Sequence, residues 1–174
     1  MGSNTGNREA NLLKALDRID RYPGTEVVRV SSLYETEPVG MGDRKRTRNF
    51  LNLCCAVRTG LGPFGLLGLI QETERALGRT VARRHPGPPY ASRTIDIDII
   101  VYGRRIVYTR ELVLPHPLFH QRMFVLGPLS EIAPGLVPPL FRLTTHALKD
   151  MLRDKHFVRR LKKTDYPWAG KGDD

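Results

Sequence analysis

The chain has 174 residues, 40% of them hydrophobic, and a formal net charge of +10. That length suits one domain able to bury its own core, and no run approaches the ~20 apolar residues of a membrane span. The charge leaves two classes of partner open: nucleic acid, or a polyanionic small molecule such as a nucleotide.

In chain order, Leu12, Leu13, Leu16 and Ile19 recur at helical spacing within residues 8–20, and Pro23-Gly24 ends that helix. Val27 to Tyr34 reads as a strand, residues 38–48 as a glycine- and charge-rich loop, and Phe50 to Thr59 as a second strand. Cys54 and Cys55 are adjacent, so on a strand they point to opposite faces and do not bridge. They read as reduced core thiols of a cytoplasmic protein. Pro63 stands where a first helical turn tolerates it, and Leu66, Leu67, Ile70, Ala76 and Leu77 carry an apolar stripe to Gly78. Residues 79–92 form a long irregular segment containing His85-Pro86-Gly87-Pro88-Pro89, of the kind that serves as a lid or binding loop.

The next stretch, Arg93-Thr94-Ile95-Asp96-Ile97-Asp98-Ile99-Ile100, reads as a buried strand with two carboxylates two residues apart. Period two projects Asp96 and Asp98 together and turns Ile95, Ile97 and Ile99 the other way. Paired anions on a mostly buried strand call for a cation. Hard oxygen donors suit Mg²⁺, which binds through one or two carboxylates plus substrate phosphates. A solvated edge strand with its acids on the wet face is the rival reading. Seven arginines (79, 83, 84, 93, 104, 105, 110) lie between residues 79 and 110, a window whose only acids are Asp96 and Asp98. Their planar forks match phosphate oxygens. A short strand near Ile106 and helices over 118–126 and 146–152 complete an α+β layered fold. His116 and His120 have a zinc-like spacing, but Pro117 interrupts it and no third ligand follows, so zinc is not expected. Arg159, Arg160, Lys162 and Lys163 begin a basic tail, residues 159–174, to which no function is assigned.

Several blocks in fixed order resemble the 6-hydroxymethyl-7,8-dihydropterin pyrophosphokinases of folate biosynthesis. They are Gly2-Ser3-Asn4, Ser31-Ser32-Leu33-Tyr34-Glu35-Thr36, Asn49-Phe50-Leu51-Asn52, Gln71-Glu72-Thr73-Glu74 with Gly78-Arg79, and Arg93 to Asp98. Leu114-Pro115-His116-Pro117, Arg122-Met123-Phe124-Val125-Leu126 and Ile132-Ala133-Pro134 follow downstream.

The resemblance implies a ferredoxin-like layered sandwich over residues 1–158, with helices on a mainly antiparallel sheet. It implies transfer of pyrophosphate from ATP to the pterin hydroxymethyl group with release of AMP. Asp96 and Asp98 would hold two Mg²⁺ ions, and Arg79 and Arg93 would act on the phosphates as catalytic donors. Gln71, Glu74, His116 and Arg122 would complete the ATP side. Phe50 and Phe124 would sandwich the pterin, with Asn52 on the same strand face as Phe50, and Thr36 and Val39 lining the pocket. Arg83, Arg84 and Tyr90 would belong to a lid. A cytoplasmic monomer without nucleic-acid or membrane partners is expected; a degenerate nucleotide-binding homologue and a basic nucleic-acid-binding module are the alternatives.

The chain departs from the family pattern in three places. Met1 directly precedes Gly2, so the first strand is expected to be missing. The loop before Arg93 is longer and carries Tyr90-Ala91-Ser92 in place of Trp-Gly-Pro. Glu37 stands where a proline is common.

Overall fold

The computed structural model describes residues 1–38, 48–79, 93–154 and 156–164. Val39, Arg83, Arg84 and Tyr90 lie outside them. Among the described residues the fold is α+β, with four α-helices and antiparallel strand pairs.

Helix α1 (Arg8–Asp20) starts where Asn7 accepts the Ala10 N–H at 3.1 Å. Its stripe of Leu12, Ala15, Leu16 and Ile19 is buried. Helix α2 (Pro63–Ala76) has Pro at its first turn and runs out before Gly78, whose φ of +82° suits a residue without Cβ. Its buried face is Leu66, Leu69, Ile70, Thr73 and Glu74.

The principal sheet pairs β1 (Gly2–Ser3), β4 (Phe50–Asn52), β3 (Tyr34–Thr36) and β8 (Val158–Arg160) in that order. Strands β2 (Thr25–Val30) and β5 (Cys55–Thr59) pair separately, as do β6 (Val107–Tyr108) and β7 (Val113–Leu114). Each stretch read as one long strand therefore splits into two. Serine chemistry explains the breaks. Ser31 Oγ accepts the Cys54 N–H at 3.0 Å and Ser32 Oγ donates to Glu131 at 2.8 Å, side-chain bonds that interrupt the ladder where the chain changes sheets.

The expected absence of a first strand is corrected in one respect: Gly2–Ser3 form a short β1. The Gly2 and Asp96 main chains exchange hydrogen bonds of 2.8 Å, and the Met1 amino group donates to the Leu53 carbonyl at 2.9 Å. The expected strand over residues 93–100 is in turn an extended segment whose only ladder contact among the described residues is Gly2–Asp96. Alternation nonetheless holds: Ile95 and Ile97 are buried, whereas Asp96 is half-buried and Asp98 exposed.

Past Met1 lies an apolar cavity of about 450 Å³ between β5 and residues 97–103. Ile19, Leu66 and Ile70 of one core cluster and Leu129 and Ile132 of the other wall it. The second cluster is built on α3 (Met123–Ile132), which begins after a 3₁₀ turn at Phe119–Gln121, so the helix lies C-terminal to the expected 118–126. Helix α4 (Thr145–Met151) is capped by Thr144, which accepts the Ala147 N–H at 3.2 Å.

Arg159 and Arg160, read as the start of a tail, instead belong to β8 and pair with Glu35 and Glu131 at 2.9 Å each. No helix among the described residues is long and apolar enough to cross a membrane.

Candidate active site

A cleft of about 320 Å³ opens where β1, β3, β4, the acid segment and the start of α3 converge. Its walls have two characters.

One half is aromatic and neutral. Phe50 comes from β4 and Phe124 from α3, and Asn52 and Thr36 line the same cleft. Asn52 Nδ2 donates to Thr36 Oγ1 at 2.8 Å, which fixes the amide's orientation and leaves its oxygen as an acceptor. Gly2 makes room for that oxygen: a Cβ on residue 2 would sit 2.5 Å from Asn52 Oδ1. Arg122 stacks its guanidinium 5.7 Å from the Phe124 ring centre.

The other half is ionic. Asp96 is gripped from both sides: Arg79 lies 2.8 Å from Oδ1 and Arg93 lies 2.6 Å from Oδ2. Asp98, two residues on, is exposed and lines the same cleft without an ion pair among the described residues. Glu74, buried on α2, accepts the Ile97 N–H at 2.8 Å and pairs with Arg79. Burial pushes the Glu74 carboxyl above its usual range, with the Ile97 hydrogen bond and the Arg79 charge opposing. His116 faces the acids from the β7–α3 connection; burial lowers its pKa, Asp98 and Asp96 raise it, and Arg122 adds to the lowering. Its Nδ1 accepts the Leu118 N–H at 3.3 Å, which places the ring proton of the neutral form on Nε2.

The cleft thus brings together Thr36, Phe50, Asn52, Arg79, Arg93, Asp96, Asp98, His116, Arg122 and Phe124. Two expected members stay outside its lining. Gln71 is exposed and Glu74 is buried behind Arg79. At ~100° per residue, positions three apart differ by roughly 60°, and the edge of the buried stripe of α2 falls between them.

Sequence reasoning missed the groups that hold this arrangement. Asn4, 2% exposed, accepts the Arg93 N–H at 2.7 Å, and its own N–H donates to the Arg93 carbonyl at 3.2 Å. Asn11 Nδ2 lies within 3.2 Å of Ser3 Oγ, the Thr5 carbonyl and the Thr94 carbonyl. The only available signal was an asparagine in the Gly2-Ser3-Asn4 block and another on the polar edge of α1. Neither spacing is diagnostic by itself.

The donor set bears on a metal directly. No group of three or more His, Cys, Asp or Glu able to hold an ion exists among the described residues. Two carboxylates facing one cleft, without nitrogen or sulfur ligands, suit a hard cation whose remaining positions go to water or phosphate.

The family model described as 7,8-dihydro-6-hydroxymethylpterin-pyrophosphokinase (HPPK) matches residues 1–134. The chain belongs to this family. It is 42% identical over 132 residues to the 2-amino-4-hydroxy-6-hydroxymethyldihydropteridine pyrophosphokinase of Bacillus subtilis, covering 76% of this chain and 74% of the relative. The Haemophilus influenzae protein of the same name is 34% identical over 155 residues, 89% of this chain and 92% of that one. The chain is also 38% identical over 148 residues to the Folic acid synthesis protein FOL1 of Dictyostelium discoideum, where it spans 85% of itself and 21% of that longer protein. All ten residues placed in the cleft fall within the HPPK match, as does the whole of α3, whereas β8 lies beyond it.

Proposed function

We propose that the protein transfers the pyrophosphoryl group of ATP to the hydroxymethyl oxygen of 6-hydroxymethyl-7,8-dihydropterin, a step of folate biosynthesis. The hydroxyl oxygen forms a bond to the β-phosphorus, the bond between that phosphorus and the α,β-bridging oxygen breaks, and AMP departs. The hydroxyl proton passes to solvent. The observation that carries this reading is the juxtaposition, in one cleft, of a Phe50–Phe124 aromatic half and an Arg79–Arg93–Asp96–Asp98 ionic half.

Each half has its task. A flat heterocycle presents two π-faces and a hydrogen-bonding edge, which Phe50, Phe124 and the Asn52 amide match. A triphosphate presents oxygens to guanidinium forks, which Arg79, Arg93 and Arg122 match. Pyrophosphoryl transfer needs positioning and charge stabilisation above all. Arg79 and Arg93 are held in place before substrate arrives, Arg79 by Glu74 and Arg93 by its main-chain bonds to Asn4. Donors fixed in advance stabilise developing charge without reorganising. Neutral His116, with Nε2–H directed by the Leu118 contact, would donate to a phosphate oxygen. Asp96 and Asp98 would hold Mg²⁺, two ions by this reading, which when bound supplies neutralisation of the triphosphate charge.

The same reading takes the fold as the ferredoxin-like layered sandwich, with Val39 at the pterin pocket and Arg83, Arg84 and Tyr90 on a lid. It takes the protein as a cytoplasmic monomer, without nucleic-acid partners. The comparisons do not favour a degenerate homologue or a nucleic-acid module.

AMP release measured with purified protein tests it. Formation of AMP that requires Mg²⁺ and the hydroxymethyldihydropterin together is the expected result. Pterin-independent hydrolysis of ATP, or retention of RNA without turnover, would overturn the assignment.

A further inference from the structure

Helix α3 brings Arg122 and Phe124 to the cleft at its first turn, and its far end makes a contact the reaction does not use. There Glu131 collects four donors. Its Oε1 accepts the Ser32 N–H at 3.1 Å, the Ser32 hydroxyl at 2.8 Å and the Arg160 guanidinium at 2.9 Å; its Oε2 accepts the Tyr34 hydroxyl at 2.8 Å. Burial disfavours this charge, but the Ser32 and Tyr34 hydrogen bonds and Arg160 outweigh it and hold the carboxyl below its usual range. One helical turn earlier, Gly127 lies against the Tyr34 ring, where a Cβ would come within 3.3 Å of Cε1. The helix-to-strand spacing therefore has little slack. At the opposite end, Asp154 Oδ2 takes the Met123 N–H at 3.0 Å, a cap that Arg122 does not supply.

The donors that meet Glu131 belong to the entrance of β3 and to β8. Two residues beyond Tyr34 on β3 stands Thr36, bonded to Asn52 in the cleft. A single carboxylate thus links the helix bearing one aromatic wall to the strand bearing the polar edge.

We propose that Glu131 is a positioning residue for the flat-ring half of the cleft, fixing α3 on β3 so that Phe124 stands opposite the β4 wall of Phe50 and Asn52. The inference rests on the pterin reading above. The nucleotide half depends on α3 through Arg122 alone; Arg79, Arg93, Asp96, Asp98 and His116 stand on other segments. Loosening α3 should therefore weaken the ring far more than the nucleotide. Misplacement by a fraction of an ångström in a supporting shell is enough for such an effect.

The test measures two affinities on the full chain: 6-hydroxymethylpterin by its own fluorescence, and α,β-methylene-ATP with Mg²⁺ by calorimetry. For Glu131→Ala the expected result is pterin binding weakened about tenfold with nucleotide binding within about threefold of wild type. Glu131→Gln, which keeps an acceptor for Ser32, should recover most of the loss. Tyr34→Phe, which keeps the carboxylate and the ring, should weaken the pterin about threefold and serves where Glu131→Ala fails to fold. A merely structural role would lower both affinities together, and that result, or an unchanged pterin affinity, overturns the proposal. If wild-type protein binds nucleotide but no pterin, the functional reading falls and this proposal with it. If wild type binds both and the variants match it, only the positioning role falls.

Discussion

Arg79 and Asp96 form an ion pair of 2.8 Å, and the same guanidinium also meets Glu74. Arg79 is thus shared between a buried support and a carboxylate proposed to hold a metal. Its removal takes away both a restraint on the acid segment and a donor for the phosphates. Arg79→Ala is expected to reduce kcat by roughly 10²–10³, the usual cost of a lost charge-stabilising donor. Steady-state AMP formation at saturating ATP measures it; a loss under fivefold would show that Arg79 has no such role.

The two acids differ in environment and should differ in what their replacement does to the fold. Asp96→Ala and Asp98→Ala are each expected to lower turnover by about 10³ or more. Asp98, exposed and outside any ion pair among the described residues, should leave the melting temperature near wild type, whereas Asp96→Ala strands two guanidinium groups and should lower it. Paired turnover and melting measurements separate these outcomes, and near-normal turnover in either variant rejects the metal assignment.

Phe50→Ala and Phe124→Ala should each weaken pterin binding. Stacking of a flat base on an aromatic ring contributes ~1–3 kcal/mol, so losses of roughly 5- to 150-fold are expected. Nucleotide affinity should change little in Phe50→Ala. Fluorescence titration of the pterin decides the matter.

Glu35, Glu131 and Asp154 all ionise below their ordinary ranges. Burial opposes ionisation at each, but Arg8 and Arg159 outweigh it at Glu35, Ser32 and Tyr34 at Glu131, and the Met123 and His156 N–H groups at Asp154. A carboxyl with a depressed folded pKa stabilises fully above its unfolded pKa and loses that contribution as pH falls through the folded value. The contribution of these three carboxyls should therefore be constant above about pH 5, and the melting temperature should fall as the solution is acidified below the ordinary carboxyl pKa of ~4.3. Glu131→Gln and Asp154→Asn should each shallow that decline, and an unchanged acid limb in both would show that these carboxyls do not drive it.

The apolar cavity beyond Met1 gives a further expectation. Met1 and Leu53 exchange main-chain hydrogen bonds of 2.9 and 3.1 Å, two residues before β5 begins, and both Met1 and β5 line the cavity. Six apolar residues added before Met1 should enter between β5 and residues 97–103 as a strand buried on both faces. One buried aliphatic side chain contributes ~1.5–3 kcal/mol, and ~1 kcal/mol shifts the midpoint by about 2–4 °C at this size. A rise of about 5 °C or more is expected on calorimetry; no rise would mean that the added residues remain in solvent.

Much of this site was legible because charged and aromatic residues at period-two spacing leave few structural options. Asp96 and Asp98 face one cleft although their segment is not a laddered strand, since extended backbone alternates with or without neighbours. The helix over 8–20 was equally plain, because its stripe and its Asn7 cap agree. The strand breaks at Ser31–Leu33 and Leu53–Cys54 were not legible, because apolar pattern records burial and says nothing of which sheet a residue joins. Glu74 misled for a related reason: a charged residue on a helix reads as solvent-facing, and its burial depends on Arg79 and the Ile97 amide, one of them distant in sequence. Asn4, Asp154 and Glu131 act through main-chain, hydroxyl and charged partners, some of them distant in sequence, and such contacts leave no periodicity to detect.

Gly2 carries a cost that strand geometry alone would never reveal. Its backbone is ordinary and its neighbours on both sides would pair as well with alanine, yet the missing methyl is the space in which the Asn52 oxygen rests. Enlarging the second residue would leave the sheet intact and evict a hydrogen-bond acceptor fifty positions downstream, so that under the proposed reading a residue without a side chain governs how the edge of the ring is met.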